Sequence, residues 1–317
     1  MHLGLGTAAI GRPQYINIKQ EQEQEKLEVD LESFKKQGLQ VLDYAYDKGV
    51  RYFDTAPGYG LAEELLIEWI NNHREPKIEI ATKWGYTYTA NFDPKAKQHE
   101  VKEHSLSKLN QQWEQSKELL PNLSTYQIHS ATFESGVLTN MPVLNRLAEL
   151  KKTYDLRVGI TTSGPNQLEV LKKALEVEIA GLRLFEVFQV TYNILDQRIA
   201  ELFSDSLVKD QRFVIKEALA NGRLFPNKRY KHYHSLYEYL KTLSGKYGVN
   251  VDAIALRFCE DTLKPFKVLS GASNKQHLED NLKMNQFELT KQELQSLEQF
   301  KVSSEFYWNE RSALAWN

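Results

Sequence analysis

Four residues of this 317-residue chain carry side chains suited to proton exchange, and they follow the downstream ends of predicted strands. They are Asp54 and Tyr59 in RYFDTAPGYG, Lys83 in IEIATK and His129 in TYQIH. Reducing a carbonyl group requires a proton for its oxygen as hydride reaches its carbon. A phenol with a pKa near ~10 is a reluctant donor at neutral pH, but a neighbouring ammonium makes it more acidic. The set therefore predicts a proton-transfer site.

Each of these side chains has a role in that chemistry. Tyr59 would donate the proton, and Lys83, held in place by Asp54, would supply the positive charge. His129 would hydrogen-bond the carbonyl oxygen and orient it. Any one of them alone is typical of ordinary structure, as a cap, a solvated lysine, a buried histidine or a packed tyrosine. Three consecutive strands that each end in a titratable group favour the functional interpretation.

The elements that must position these residues alternate along the chain. Runs rich in β-branched and aromatic residues are separated by segments with apolar residues three or four positions apart. The predicted strands are 2–7, 51–55, 78–83, 125–130, 157–162, 187–192, 212–217 and 267–272. The predicted helices named from this pattern are 31–49, 62–73, 105–120, 142–155, 164–176 and 274–286. We therefore expect one α/β domain over 1–317, a (β/α)8 TIM barrel whose active site lies at the C-terminal strand ends.

Composition limits the partners. The 40 Lys and Arg nearly balance the 42 Asp and Glu, and no long basic block occurs, so neither nucleic acid nor a membrane surface is expected. The single cysteine, Cys259, forms no internal disulfide, and no apolar run approaches membrane-spanning length. A cytoplasmic protein acting on a small molecule is the expectation.

Three loops are longer than the connections require. Segments 85–102 and 222–233 mix aromatic and polar residues and are predicted as lids over the substrate. The acidic, glutamine-rich part of the loop at 7–29 is interpreted as solvated. Trp84 and Tyr86 are predicted as walls of the substrate pocket. The aromatic C-terminal segment leaves two readings open, closing over the site or covering the side of the barrel.

The motifs FDTAxxYG, ATK and IH, together with the GLGT strand, resemble the aldo-keto reductase superfamily over nearly the whole chain. The resemblance implies that Asp54, Tyr59, Lys83 and His129 form a catalytic tetrad. It also implies a monomer without metal that binds NADPH or NADH and transfers hydride to or from a carbonyl compound, with Tyr59 as acid in reduction and base in oxidation. The nearest branch contains sugar-active and poorly characterised bacterial-type members.

The resemblance also implies cofactor contacts around the strand ends. Those assigned to the cofactor near the barrel axis are Gly6, Thr7, Asp54, Thr161, Thr162, Gln189 and Lys216. Thr161 and Thr162 replace the usual Ser-Asn pair, so the amide contact is missing. Lys216 replaces an aromatic residue that usually stacks on the nicotinamide, and it would meet cofactor phosphate or substrate instead.

The segment SGASNKQHLEDN is predicted to hold the distal phosphate. Backbone N–H groups at a helix start attract phosphate, and a glycine allows close approach. The resemblance assigns this end of the cofactor to Gly271, Ser273, His277, Asp280 and Asn281. Because Gly271 and His277 stand where NADPH-specific members carry Lys and Arg, the sequence favours NADP(H) over NAD(H) only narrowly.

Two other functions remain open from the sequence. One is a cofactor-binding sensor or accessory subunit with little turnover on the same fold, since the nicotinamide contacts are altered. The other is a barrel lyase in which Lys83 forms a Schiff base with a sugar aldehyde. The nearby carboxylate of Asp54 argues against the lyase.

Overall fold

The computed structural model describes residues 1–14, 16–18, 30–73, 76–93, 95–204 and 208–316. Eight parallel strands close into a barrel in which each strand pairs with its neighbours in the chain and the last pairs with the first. The strands are β1 (Leu3–Gly6), β2 (Tyr52–Asp54), β3 (Glu79–Trp84), β4 (Leu123–Ala131), β5 (Arg157–Thr162), β6 (Phe185–Thr191), β7 (Arg212–Lys216) and β8 (Lys267–Ser270). The predicted single-domain (β/α)8 barrel is confirmed.

Helices surround the barrel. They are α1 (Leu31–Asp47), α2 (Ala62–Asn72), α3 (Leu106–Ser116), α4 (Met141–Tyr154), α5 (Gln167–Leu175), α6 (His234–Tyr247), α7 (Val251–Leu263), α8 (Lys275–Leu282), α9 (Lys291–Glu298) and α10 (Ser304–Ser312). Each predicted helix is present, whereas α6, α7, α9 and α10 were not among the predicted segments. Between β6 and β7, the structure has a 3-10 helix at Arg198–Ser204 in place of an α-helix.

The side chains inside the barrel form layers, because alternate residues of a strand point to the same face. The layer at the N-terminal end is apolar and consists of Tyr52, Ala81, Val187, Val214 and Leu269. Two residues further along the same strands stand Asp54, Lys83, Gln189 and Lys216. Because side chains on one face of a strand repeat every two residues, the apolar layer is followed by a polar layer at the mouth of the barrel.

The loops at the C-terminal strand ends are partly ordered by their own secondary structure. Within 85–102, Tyr86–Tyr88 and Glu100–Lys102 form an antiparallel hairpin. Within 222–233, the structure has 3-10 turns, at Ala220–Gly222 and Lys228–Tyr233. Of the first loop, residues 15 and 19–29 lie outside the described residues, so its acidic part stays a prediction. Within the described ranges, none of the helices combines the length and apolar character needed to span a bilayer.

Candidate active site

A buried ion pair lies at the centre of the barrel mouth. The Lys83 Nζ is 2.5 Å from Asp54 Oδ1 and donates to the carbonyl oxygen of Thr55 at 2.9 Å. The side chains are 0% and 3% exposed, so neither charge is hydrated. Gln189 Nε2 donates to the other carboxylate oxygen of Asp54 at 2.7 Å. The pair is therefore fixed by hydrogen bonds from β3 and β6 to a carboxylate on β2.

The phenol of Tyr59 lies above this pair. Lys83 Nζ is 4.8 Å from the centroid of the Tyr59 ring. The Tyr59 hydroxyl is 3.4 Å from His129 Nε2, and the two rings meet edge to face with centroids 5.4 Å apart. The structure thus brings together all four residues of the predicted tetrad, from the ends of β2, β3 and β4 and from the turn at Pro57–Tyr59.

The expected lowering of the Tyr59 pKa by Lys83 is wrong for this structure. Burial raises the pKa of Tyr59 well above its ordinary value, and the negative charge of Asp54 raises it further. The physical reason is the burial of the phenol, to which the carboxylate of Asp54, the ion-pair partner of Lys83, adds. Tyr59 is therefore a neutral phenol at physiological pH.

His129 is also neutral. Burial holds the pKa of its imidazole well below the usual range, and the positive charges of Lys83, Arg12 and Lys216 lower it further. Its backbone is fixed, because His104 Nε2 donates to the His129 carbonyl oxygen at 2.9 Å. His129 Nδ1 is buried without a hydrogen-bond partner. A neutral imidazole with one ring nitrogen 3.4 Å from a phenol is suited to hydrogen-bonding an oxygen placed beside that phenol.

Arg12 is a residue of the site that the sequence did not point to. Its side chain is 4% exposed, and Nη1 donates to the Gly58 carbonyl oxygen at 3.0 Å and to Glu100 Oε2 at 2.9 Å. Its guanidinium lies 5.3 Å from the Tyr59 ring centroid and 4.7 Å from that of Trp316. Arg12 therefore links the tyrosine turn, the hairpin and the C-terminal segment.

Trp316 decides between the two readings of the C-terminal segment. Its ring stacks on His99 with centroids 4.5 Å apart and an angle of 6° between the planes. Its backbone forms an antiparallel bridge with Ile16. The C-terminal segment at Trp316 therefore lies at the mouth of the barrel, while α10 packs at the end of β7, where Arg311 binds Glu217 at 3.2 Å.

Gln127 is a second residue missed in the sequence, although a signal was present. It precedes His129 by two positions on β4, so both side chains point into the barrel. Its Nε2 lies 3.5 Å from Asp54 Oδ2. A Cβ at Gly159 would be 2.8 Å from Gln127 Cγ, so the glycine on β5 makes room for this side chain.

The two predicted substrate walls differ in position. Trp84 is 0% exposed and packs against His104, because it follows Lys83 and points away from the barrel interior. The contact of Trp84 with substrate stays a prediction. Tyr86, on the hairpin, lies 4.7 Å from the His129 ring and borders the site. The hairpin is held by Gln112, which accepts from Gly85 N at 2.8 Å and donates to the Tyr86 carbonyl oxygen at 2.7 Å.

The residues expected to contact nicotinamide lie side by side at the ends of β5 and β6. Gln189 uses its amide nitrogen on Asp54, and the Thr161 hydroxyl accepts from the backbone N of Ser130 at 2.7 Å. The Thr162 hydroxyl is fully buried and has no hydrogen-bond partner in the part of the chain that the structure describes. A buried hydroxyl without a partner is costly, so it marks a position where a polar ligand group would fit.

Gly6 and Thr7 lie beside Asp54. Gly6 pairs with Asp54 in the barrel, and the hydroxyl and backbone N of Thr7 both interact with the Asp54 carbonyl oxygen, at 3.0 and 2.9 Å. Lys216, at the end of β7, donates to Thr191 Oγ1 at 2.8 Å. In this structure, Thr7 thus positions Asp54. The contacts of Gly6, Thr7 and Lys216 with a cofactor stay predictions.

The segment expected to hold the distal phosphate leads into α8 as predicted. Asn274 caps this helix by accepting from His277 N at 2.9 Å, and Ser273 Oγ is 3.3 Å from His277 Nδ1. A Cβ at Gly271 would meet no atom within 4 Å, so the backbone there is open. A cavity of about 350 Å³ lies between α1 and the start of α8, and Lys36, Asn274 and Lys275 contribute to its lining.

Asp280 and Asn281 occupy the inner side of α8. Asp280 pairs with Lys283 at 2.6 Å and accepts from Gln276 at 3.1 Å. Asn281 Nδ2 donates to Ser270 Oγ at 2.7 Å, whereas its Oδ1 is buried without a hydrogen-bond partner. The free acceptor of Asn281 would fit an amino group of a base. Within the described ranges, no cluster of three or more His, Cys, Asp or Glu is arranged for metal binding.

A parallel barrel with a buried acid–lysine pair beneath a tyrosine and a neutral histidine defines a class of proton-transfer proteins. The chain matches the sequence model of the Aldo/keto reductase family over residues 2–301. The protein therefore belongs to the aldo/keto reductase family, a family of oxidoreductases.

Similar proteins with curated descriptions are related over part of their length. The uncharacterised oxidoreductase YqkF of Bacillus subtilis is 31% identical over 155 residues, which are 46% of this chain and 46% of that protein. A probable aldo-keto reductase 1 of Glycine max is 46% identical over 50 residues, 15% of this chain and 14% of that protein. The matches thus span less than half the length of these relatives.

Solved structures share the fold over nearly the whole chain. The aldo-keto reductase AKR11C1 of Bacillus halodurans, in its holo form, is 20% identical with a TM-score of 0.68, covering 95% of this chain and 92% of that one. The glycerol dehydrogenase AKR11B4 of Gluconobacter oxydans is 19% identical with a TM-score of 0.66, covering 94% and 90%. A mutant of Gox0644 in complex with NADPH is 19% identical with a TM-score of 0.63, covering 95% and 89%. At these identities the likeness concerns the fold.

Proposed function

We propose that the protein is an NAD(P)(H)-dependent oxidoreductase that transfers hydride between the nicotinamide and an aldehyde, ketone or sugar carbonyl. The observation that carries this is the convergence of a neutral phenol, a neutral imidazole and a buried ammonium. Tyr59, His129 and Lys83 lie within a few ångströms of one another at the barrel mouth. Family membership and the NADPH complex of a protein with the same fold support the choice of cofactor.

The residues divide the proton chemistry between them. Burial raises the pKa of Tyr59, so the phenol keeps its proton until it donates that proton to a carbonyl oxygen. As the proton leaves, negative charge develops on the phenolate, and the Lys83 ammonium 4.8 Å from the ring centroid stabilises that charge. His129 Nε2, 3.4 Å from the Tyr59 hydroxyl, orients the carbonyl oxygen beside it. The bound nicotinamide supplies or accepts the hydride.

The groups around the strand ends fit such a cofactor. The buried Thr162 hydroxyl, at the ring end, and Asn281 Oδ1, at α8, have no hydrogen-bond partner among the described residues. Thr161, Thr162 and Gln189 would hold the carboxamide. The open backbone at Gly271, with Ser273 and His277, would hold phosphate. NADP(H) carries a 2′-phosphate, whereas NAD(H) does not. Of the two cofactors, we favour NADP(H) narrowly.

The Schiff-base alternative is less compatible with the geometry. An amine that attacks a carbonyl must lose its proton, and an apolar surrounding favours that loss. The Lys83 Nζ is instead 2.5 Å from the Asp54 carboxylate, which favours the charged form. A sensor with little turnover would have the same site and differs only in rate, which an assay decides.

Replacing Tyr59 by Phe tests the proposal, because it removes only the hydroxyl. With a panel of aldehydes and sugars monitored at the nicotinamide absorbance, Tyr59→Phe should lower kcat by about 10²-fold or more. Lys83→Met should lower it similarly. NADPH binding, measured by fluorescence, should change little in Tyr59→Phe. Tyr154→Phe, at a tyrosine that is 38% exposed, is the matched control. Full turnover in Tyr59→Phe would refute the role of the phenol.

A further inference from the structure

The end of β7 carries a positive charge directly at the barrel mouth. Lys216 Nζ donates to Thr191 Oγ1 at 2.8 Å and to Ser163 Oγ at 3.4 Å. Thr191 ends β6 two residues after Gln189, and Ser163 follows Thr162 at the end of β5. The ammonium is therefore fixed against the same two strand ends to which the proposed function assigns the nicotinamide ring.

The backbone around this lysine is held in an uncommon conformation. Glu217 has a φ of +55°, in the left-handed region that residues other than glycine rarely adopt. Asn193 Nδ2 donates to the Glu217 carbonyl oxygen at 3.0 Å and stabilises this conformation. The turn directs the side chains of Lys216 and Glu217 into one cluster with Arg311 of α10, instead of continuing the strand.

The charges of this cluster do not cancel. Arg311 Nη2 lies 3.2 Å from Glu217 Oε1, and Lys216 Nζ lies 4.0 Å from the same oxygen. Burial raises the pKa of Glu217, but Lys216 and Arg311 outweigh that effect and lower it, so the carboxylate is ionised. Lys216 and Arg311 therefore share one carboxylate, which lies nearer to Arg311 and offsets the charge of Lys216 only in part. Burial lowers the pKa of Lys216, and the negative charge of Glu217 opposes that effect. The Lys216 and Glu217 side chains are 17% and 8% exposed, so water screens the charge of Lys216 poorly.

The two forms of the cofactor differ in charge at the ring. The oxidised nicotinamide is a cation, whereas the reduced ring is neutral. We propose that Lys216 places a fixed positive charge beside the nicotinamide and thereby makes the protein bind the reduced cofactor more tightly than the oxidised cofactor. The inference rests on the proposed function, because it requires that the ring lies at the ends of β5 and β6. Its consequence is a protein adapted to carbonyl reduction, since the product form of the cofactor is released more easily.

The charge of Lys216 also acts on His129, a residue of the candidate active site. Although burial is the largest cause of the low pKa of His129, the charge of Lys216 is among the cations that lower it further. Lys83 is neutralised by Asp54 at 2.5 Å, and Arg12 lies 2.9 Å from Glu100. Among these three cations, Lys216 is the one whose carboxylate is shared with a second cation.

Binding measurements with the whole protein test the inference without turnover. Dissociation constants for NADPH and NADP⁺ are measured by quenching of tryptophan fluorescence, for which Trp308, 6.0 Å from Lys216 Nζ, is a nearby reporter. We expect the wild type to bind NADPH about tenfold or more tightly than NADP⁺, the factor that about 1.4 kcal/mol represents. Lys216→Met, similar in length but uncharged, should bring the two constants close together by tightening NADP⁺. Lys216→Arg should keep the preference.

Three outcomes would overturn the inference. They are equal binding of both forms by the wild type, an unchanged ratio in folded Lys216→Met, and weaker binding of 2′-phospho-ADP-ribose by Lys216→Met. The last ligand has no nicotinamide ring, so its loss would place Lys216 on a phosphate. If Lys216→Met does not fold, the inference is still tested by the ratio of the NADP⁺ and NADPH dissociation constants in the wild type and in Lys216→Arg. Lys209→Met, at an exposed lysine, controls for loss of surface charge. Failure of the wild type to bind any of these ligands would instead refute the proposed function.

Discussion

At the scale of single residues, the Asp54 carboxylate organises the site. It accepts hydrogen bonds from Lys83 at 2.5 Å, Gln189 at 2.7 Å and Gln127 at 3.5 Å. These donors come from different strands of the barrel, so the carboxylate fixes the lysine in place. Because the Lys83 ammonium is paired with Asp54, the pKa of Tyr59 stays raised by burial. The stabilisation of the phenolate is therefore exerted as the proton moves, which is where it accelerates a reaction.

Cofactor preference is also decided by single residues, at the start of α8. Because a Cβ at Gly271 meets no atom within 4 Å and His277 is exposed, longer cationic side chains can be accommodated at both positions. We expect Gly271→Lys combined with His277→Arg to tighten NADPH relative to NADH by about tenfold, because two cations would flank a 2′-phosphate. Fluorescence titration measures the ratio. Gly245→Lys, on the exposed side of α6, is the control, and an unchanged ratio would mean that the phosphate binds elsewhere.

At the scale of elements, the tyrosine turn is positioned by the short helix Ala8–Gly11 that follows β1. The Gly11 carbonyl oxygen accepts from Leu61 N at 2.8 Å. A Cβ at Gly11 would lie 2.2 Å from the Tyr59 carbonyl oxygen and 2.3 Å from Ala62 Cβ. Two backbone segments thus touch without room for a side chain, and the position of the phenol depends on that contact.

Gly11→Ala should therefore displace the turn that carries Tyr59. We expect a loss of about 1–3 kcal/mol in the free energy of unfolding, from overpacking against backbone, together with a fall in kcat. Gly245→Ala is the control, because a Cβ there meets nothing within 4 Å and the site is an exposed helix. Denaturant unfolding and the carbonyl assay measure the two effects. If Gly11→Ala had wild-type stability and turnover, the turn would accommodate the added methyl group without loss of unfolding free energy, and the prediction would be wrong.

At the scale of the whole molecule, the barrel and the tetrad could be predicted because they depend on local patterns. Alternating strands and helices define the barrel, and Lys83 and His129 each lie near the C-terminal end of a strand. Strand alternation also places Trp84 on the opposite face from Lys83. Arg12 could not be predicted, because its role depends on contacts with Gly58 and Glu100, which are distant in sequence and meet only after closure of the barrel.

Another property of the whole molecule follows from a carboxyl group sealed between α2, β3 and α3. Glu63 is 0% exposed, and its Oε1 accepts from Thr82 at 2.5 Å and Ser116 at 2.9 Å, while Oε2 has no hydrogen-bond partner. Burial raises the pKa of Glu63 from 4.5 to about 7. The unfolded chain, with the ordinary pKa, ionises first as pH rises. Stability from this group is therefore complete below about pH 4.5 and is lost as pH rises through 7.

Glu63→Gln should remove this pH dependence. Between pH 5 and pH 8, we expect the free energy of unfolding of Glu63→Gln to increase relative to that of the wild type by up to about 3 kcal/mol. Amide burial shifts the whole curve by a constant, so the test is the slope with pH, measured by denaturant unfolding at several pH values. Glu64→Gln, at the exposed neighbouring position, should run parallel to the wild type. Parallel curves for Glu63→Gln as well would mean that Glu63 ionises in the folded protein as easily as in the unfolded chain.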